Sequence, residues 1–336
     1  MLRTLCLMAL TACLGLLNWA ALTACGDGGG ERERADGRLR IAVITKGPTH
    51  SFWKAVEAGA RQAAGELDIE MLWQPPRHEG DRRGQIDIIR RMIQSDVDGI
   101  VLAPVDARGL VRPVREAHAA GIPVVIIDSG LHDAEDYYLS FIATDNLEGG
   151  RIGGRHLAEL LADAGNKDII ILRYEENHES TENREAGMIE AAGEGGLNFV
   201  RDRVRGGTGA DTALRAAESM LHTLRGGDGG PTFTGVLTPN ESTTVGMLQA
   251  LRRVGWAGQV RFVGFDVTPG LASALQRGDI DALVAQNPHR MGYEGVRQIV
   301  AGIRGEEIPR RIDTGVMLVT TENIDDPEIQ ALIPQD

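Results

Sequence analysis

The chain is predicted to be an α/β protein of two doubly wound parallel-sheet lobes with a ligand cleft between them. Two observations carry this. Short apolar runs alternate with longer helical patterns, which predicts right-handed crossovers and parallel strands. One stretch of that alternation recurs in the second half, which predicts a second lobe like the first.

In the first half, strands are read at 39–45, 68–73, 99–103 and 123–127. Helices fall between them at 51–66, 84–95 and 107–120; the second carries Ile86, Ile89, Met92 and Ile93 on one face. The pattern restarts with strands at 139–143, 168–172, 233–237 and 260–265, and helices at 146–164, 181–192 and 243–254. Gly-rich stretches at 206–209 and 226–231 read as surface loops.

The recurrence is specific. Gly99-Ile-Val-Leu-Ala-Pro-Val-Asp106 leads through a helix and Gly121 to Val124-Val-Ile-Ile-Asp128. Gly235-Val-Leu-Thr-Pro-Asn-Glu241 leads through a helix, Gly255 and Gly258 to Phe262-Val-Gly-Phe-Asp266. Ligands of doubly wound sheets bind beyond the carboxyl ends of the strands. Asp128, Asp266, Asn240 and the turn from Lys46 to His50 are therefore expected on facing rims of one cleft.

A carboxylate ending an apolar strand is costly unless paired, and it can accept hydrogen bonds from adjacent hydroxyls of a sugar. Asp also caps turns and helices. Two Asp at matching places in two lobes favour ligand contact. Phe52 and Trp53 suit the C–H face of a sugar ring. Neighbouring helix residues point in different directions, so one of the two is expected in the core.

Enzyme and metal motifs fail. Ser51-Phe-Trp-Lys54 matches S-x-x-K but has no S-D-N or K-T-G partner. Gly149-Gly150 and Gly153-Gly154 lack a following Lys-Ser/Thr and read as close helix packing rather than a phosphate loop. No His-x-x-x-His pair, thiolate set or calcium loop occurs, so no metal and no cofactor is expected.

The amino terminus carries Arg3, an apolar stretch and Leu22-Thr23-Ala24-Cys25. This reads as a secretory signal, and it resembles a bacterial lipoprotein box with Cys25 as the lipidated first mature residue. An uncleaved transmembrane helix is the competing reading. Cys6 and Cys13 leave with the signal, so the mature chain can form no internal disulfide. Residues 25–38 are Gly- and charge-rich and read as a tether. The net charge of −13 argues against nucleic acid or an anionic bilayer surface as partner.

Together the motifs from Leu39 to Asn323 resemble a periplasmic sugar-binding protein of the ribose/galactose type, the type I periplasmic binding proteins that serve ABC importers. They are Ile41-Ala-Val-Ile-Thr45, Ser51-Phe-Trp53, Ala103-Pro-Val-Asp106, Ala120 to Asp128, Ile142-Ala-Thr-Asp-Asn146, Arg184-Glu-Ala-Gly187, Val263-Gly-Phe-Asp266 and Gln286-Asn-Pro288. The resemblance implies a three-strand hinge, closure on a carbohydrate, delivery to a permease in the inner membrane, and a monomer without enzymatic activity. It implies lobes of 39–143 plus 287–313 and 144–286 plus 314–323, with 1–24 as signal and 324–336 as tail. Cleft aromatics fall on Phe52 and Trp53, the first-lobe carboxylate on Asp128, and second-lobe polar contacts on Asn240, Asp266 and Gln286. Arg184 belongs to the cleft unit, and Asp145 lies at the first crossover.

Departures from the ribose-type pattern are Ser129 and Glu182 where Arg is usual, His50 and Ala103 where Asn is usual, and Lys46 for a small polar residue. Lys46 and His50 are open to two readings: partners of a sugar acid or phosphorylated sugar, or solvent-facing side chains. Sugar-responsive repressors share the fold but begin with a helix-turn-helix; here a lipoprotein signal stands in that place. A sensory receptor on the same scaffold and an exported sugar-acting enzyme are the remaining alternatives.

Overall fold

The computed structural model describes residues 37–333. Residues 1–24, read above as a signal, and Cys25 lie outside the described residues. In chain order the elements begin β1 (Arg40–Ile44), α1 (Ser51–Leu67), β2 (Glu70–Trp73), α2 (Arg82–Gln94), β3 (Gly99–Leu102), α3 (Val111–Ala119), β4 (Val124–Ile127) and β5 (Ser140–Ala143). They continue α4 (Asn146–Leu160), β6 (Asp168–Ile171), α5 (Glu179–Glu194), β7 (Asn198–Arg201), α6 (Ala210–His222), β8 (Gly235–Leu237), α7 (Glu241–Val254) and β9 (Arg261–Phe265). The last are α8 (Pro269–Gln276), β10 (Ala282–Gln286), α9 (Pro288–Ile303), β11 (Arg311–Asp313), β12 (Val316–Val319) and α10 (Pro327–Gln330).

Two six-stranded sheets result, ordered β11-β5-β4-β3-β1-β2 and β12-β10-β9-β8-β6-β7. All pairings are parallel except β10 with β12. The two orders correspond strand for strand, so β4, which leads to Asp128, matches β9, which leads to Asp266. Apart from the exposed Arg261 that opens β9, the central strands are continuously apolar and buried because helices cover both faces.

The chain passes between the sheets after β5, after β10 and between β11 and β12. The crossovers are tied together. The Thr144 hydroxyl donates to Gln286 Oε1 at 2.9 Å and lies 3.5 Å from the Thr314 hydroxyl.

Glycines let two helix pairs touch backbone to backbone. A Cβ on Gly150 of α4 would lie 2.1 Å from the Arg184 carbonyl oxygen of α5, and one on Gly187 would lie 2.1 Å from that of Leu147. In the other lobe, a Cβ on Gly59 of α1 would lie 1.9 Å from the His289 carbonyl oxygen of α9. The α4–α5 contact fixes Arg184 above the second sheet.

Two expectations are corrected. The helix read from 107 begins at Val111, because the Asp106 carboxylate accepts from the Arg108 and Gly109 amides and holds a turn there. Residues 324–333 are not a tail: Ile324, Ile329 and Ile333 are buried in the core around α6, α7 and α8.

Candidate functional site

The carboxyl ends of the strands meet across an interlobe cavity. Of the residues singled out from sequence, Lys46, His50, Phe52, Trp53, Asp128, Arg184, Asn240, Asp266 and Gln286 line it. Ser129, Asp145 and Glu182 do not. Ser129 is buried beside it and accepts from the Ser180 amide of the other lobe. Asp145 is exposed and caps α4 by accepting from the Glu148 amide. Glu182 accepts from the Asn177 amide in the first turn of α5. Glu79, Ser180, Thr181 and Glu241 line the cavity and were missed. Glu241 lies four positions past the end of β8, beside Asn240, so the rim rule reaches it; Glu79, Ser180 and Thr181 lie six to ten positions past their strands, where it does not.

Lys46 does not face solvent. Its ammonium is 2.6 Å from Asp128 Oδ2, with both side chains 5% exposed, and it reaches the Ser180 hydroxyl across the cleft at 3.3 Å. Arg184 is buried by its helix and satisfied. It donates to Asn146 Oδ1 (2.8 Å), the Pro239 carbonyl (3.2 Å) and Gln286 Oε1 (2.8 Å), and stacks on Phe265 at 4.1 Å. Gln286 Nε2 donates to Asp266 Oδ1 at 2.6 Å, and the Glu241 amide donates to Asp266 Oδ2 at 2.7 Å. Asn240 caps α7 through the Thr243 amide and hydroxyl.

A second buried pair sits on the first-lobe wall. His50 Nδ1 lies 2.9 Å from Glu79 Oε1, which also accepts from Trp53 Nε1. Burial alone lowers the His50 pKa, but the charge and hydrogen bond of Glu79 outweigh it and raise it to about 9. Burial opposes ionisation of Glu79 too, yet His50, Tyr174 and Trp53 bring it down to about 2. Tyr174 of the other lobe donates its hydroxyl to Glu79 Oε2, so this pair also clasps the lobes. Trp53 belongs to the apolar core of its lobe, whereas Phe52 packs only partly against that core and faces the cavity.

Glu241 makes a further cross-lobe contact. α1 has no side-chain cap of its own and no acid in its first turn. Its Ser51 and Phe52 amides instead donate to the Glu241 carboxylate at 3.4 and 3.3 Å. The described structure is thus a closed form with polar groups of both lobes converging on one enclosed, aromatic-edged site.

The periplasmic binding protein domain matches residues 41–307. The chain belongs to that family. Its members are binding proteins, not enzymes. The chain is 28% identical over 328 residues to a D-ribose/D-allose-binding protein of Pseudomonas aeruginosa, covering 95% of this chain and 97% of that one. It is similar to a carbohydrate transporter solute-binding protein of Agrobacterium radiobacter solved with D-arabinose: 31% identity, TM-score 0.81, 88% of this chain and 98% of that one. A solute-binding protein of Agrobacterium vitis solved with D-fucose gives 32% identity and TM-score 0.81, over 88% and 99% of the two chains. In this periplasmic binding protein, the two lobes and the cleft between them are the family's architecture.

Proposed function

We propose that the protein captures a small carbohydrate between its lobes and delivers it to an ABC permease. The single observation that carries this is the pair Asp128 and Asp266, which face one cavity from matching strand ends. Carboxylates accept hydrogen bonds from vicinal hydroxyls, and Phe52 offers an apolar ring face beside them. The sugar-binding relatives support the same reading.

On this reading the lobes are 39–143 with 287–313 and 144–286 with 314–333, and the protein acts outside the cytoplasm as a monomer, held to a membrane by lipid on Cys25. Ligand recruits the second lobe onto the first and shifts the open–closed population toward the closed form.

A thermal-shift screen of sugars and polyols tests it. A sugar at 100 times its dissociation constant stabilises by about 2.7 kcal/mol. A panel in which no carbohydrate raises the melting temperature defeats the proposal. Membrane association that survives Cys25→Ser defeats the lipid anchor.

A further inference from the structure

The cleft holds three basic side chains and four carboxylates, and they are not evenly matched. Lys46 is taken by Asp128 and His50 by Glu79. Arg184 spends its donors on Asn146, Pro239 and Gln286. Among the described residues, Glu241 and Asp266 lie within ion-pair distance of no cation. Asp266 is 7% exposed and Glu241 partly buried, and the hydrogen bonds that each accepts come from amides.

Burial raises the pKa of both acids; the charge of His50 offsets part of this for Glu241 and that of Arg184 for Asp266, and a neighbouring carboxylate adds a smaller rise to each. Enclosed carboxylates are normally in direct contact with a cation, whereas these two feel His50 and Arg184 only beyond ion-pair distance, which leaves room for a cation in contact. It is also where a ligand can lie. Phe52, Glu241, Asp266 and Gln286 line both the main cavity and a small adjoining recess. An aromatic face beside two carboxylates suits an ammonium group.

We propose that the cleft takes a sugar carrying a protonated amine, with the ammonium against Glu241 and Asp266. The inference rests on the carbohydrate reading above and names its ligand class. On this reading Lys46, 2.6 Å from Asp128, is an internal counter-ion, and an acidic sugar would meet surplus negative charge.

Isothermal calorimetry tests this on matched sets. The probes are D-glucose, D-galactose, D-allose and D-ribose, each with its aminodeoxy forms (amine at the second or terminal carbon), their N-acetyl derivatives and the uronate. At least one amine is expected to bind ten times tighter than its neutral parent and its N-acetyl derivative, with the uronate weakest. In Glu241→Gln the ratio of amine to parent affinity falls toward one; Asp266→Asn gives the same readout should the first variant fold poorly. A neutral parent at least as tight as every amine, or a uronate tightest of its set, overturns the inference and leaves the carbohydrate reading standing. Silence from all sets overturns both.

Discussion

Asp128 and Asp266 share one unusual backbone state as well as one place in the two lobes. Both have left-handed φ, 65° and 69°. Each donates its amide to a carbonyl of the neighbouring strand, Ile142 at 3.0 Å and Val284 at 2.8 Å. Asp tolerates this region better than most residues, but holding it still costs free energy, and such costs gather at binding sites. The duplicated turn aims both carboxylates into the cavity. Asp266→Ala is expected to weaken sugar binding by about 1.5–3 kcal/mol, roughly tenfold to a hundredfold, the range for hydrogen bonds to charged groups. Calorimetry with the tightest sugar of the screen reads this, and unchanged affinity would remove Asp266 from the site.

The partners of Asp128 make its own substitution a different experiment. Removing one member of a buried ion pair strands the other, at about 3–5 kcal/mol. Lys46→Met and Asp128→Asn should each destabilise the ligand-free protein, the first on that scale. The double variant should recover most of the loss, because two neutral groups leave no stranded charge and Asn tolerates the left-handed backbone at this position, yet it should bind sugar poorly. Urea unfolding of the four proteins measures the cycle. Additive losses would mean that the pair is not coupled.

Arg184 reaches the cleft only because α4 and α5 touch through Gly150 and Gly187. Gly150→Ala inserts a methyl where a carbonyl already lies and is expected to cost about 1–3 kcal/mol of stability through overpacking. It should also lower sugar affinity, since the backbone that must move is that of Arg184. Melting temperature and calorimetry together check it; Gly165→Ala, with open space around its Cβ position, is the control.

The His50–Glu79 pair sets a pH window. The His50 pKa rises from 6.5 to about 9 in the folded protein, so its contribution is complete below pH 6.5 and is lost as pH climbs through 9. The Glu79 pKa falls from 4.5 to about 2, so its contribution is complete above pH 4.5 and is lost as pH falls through 2. Stability from this pair is greatest between pH 4.5 and 6.5. Melting temperatures from pH 5 to 9.5 should decline on the alkaline side, and His50→Gln should flatten that decline. A slope unchanged by the substitution would assign it elsewhere.

How much of this could be read from sequence follows from what each feature depends on. β3, β4, β8 and β9 were legible because burial on both faces leaves continuous apolar runs ending in Gly, Pro or Asp. The edge strands β7 and β11 were not, since exposed polar residues such as Asn198, Arg201, Arg311 and Asp313 interrupt them. The helical spacing of Met291, Val296, Ile299 and Val300 on α9 is present in the sequence but punctuated by Gly292, Gly295 and Gly302. The cleft carboxylates were found through duplication. Their partners were not, because closure brings together residues with no sequence relation: Lys46 with Ser180, Glu79 with Tyr174, and the α1 amides with Glu241. Lys46 shows the limit best, since its chemistry depends on being 2.6 Å from an acid 82 positions away.

Gln286 occupies an unusual post. Its amide is planar and has two unlike ends: the nitrogen holds Asp266 in the cleft, and the oxygen takes hydrogen bonds from Arg184 and from Thr144 at the crossover. Rotating it by half a turn would set oxygen against carboxylate and nitrogen against guanidinium. The group therefore cannot turn over; it can only slide or tilt as one rigid plate. A guest that pulls on Asp266 pulls on the bend in the chain, and a bend that straightens tugs on the guest's seat. One side chain thus serves as a tie-rod between cargo and joint.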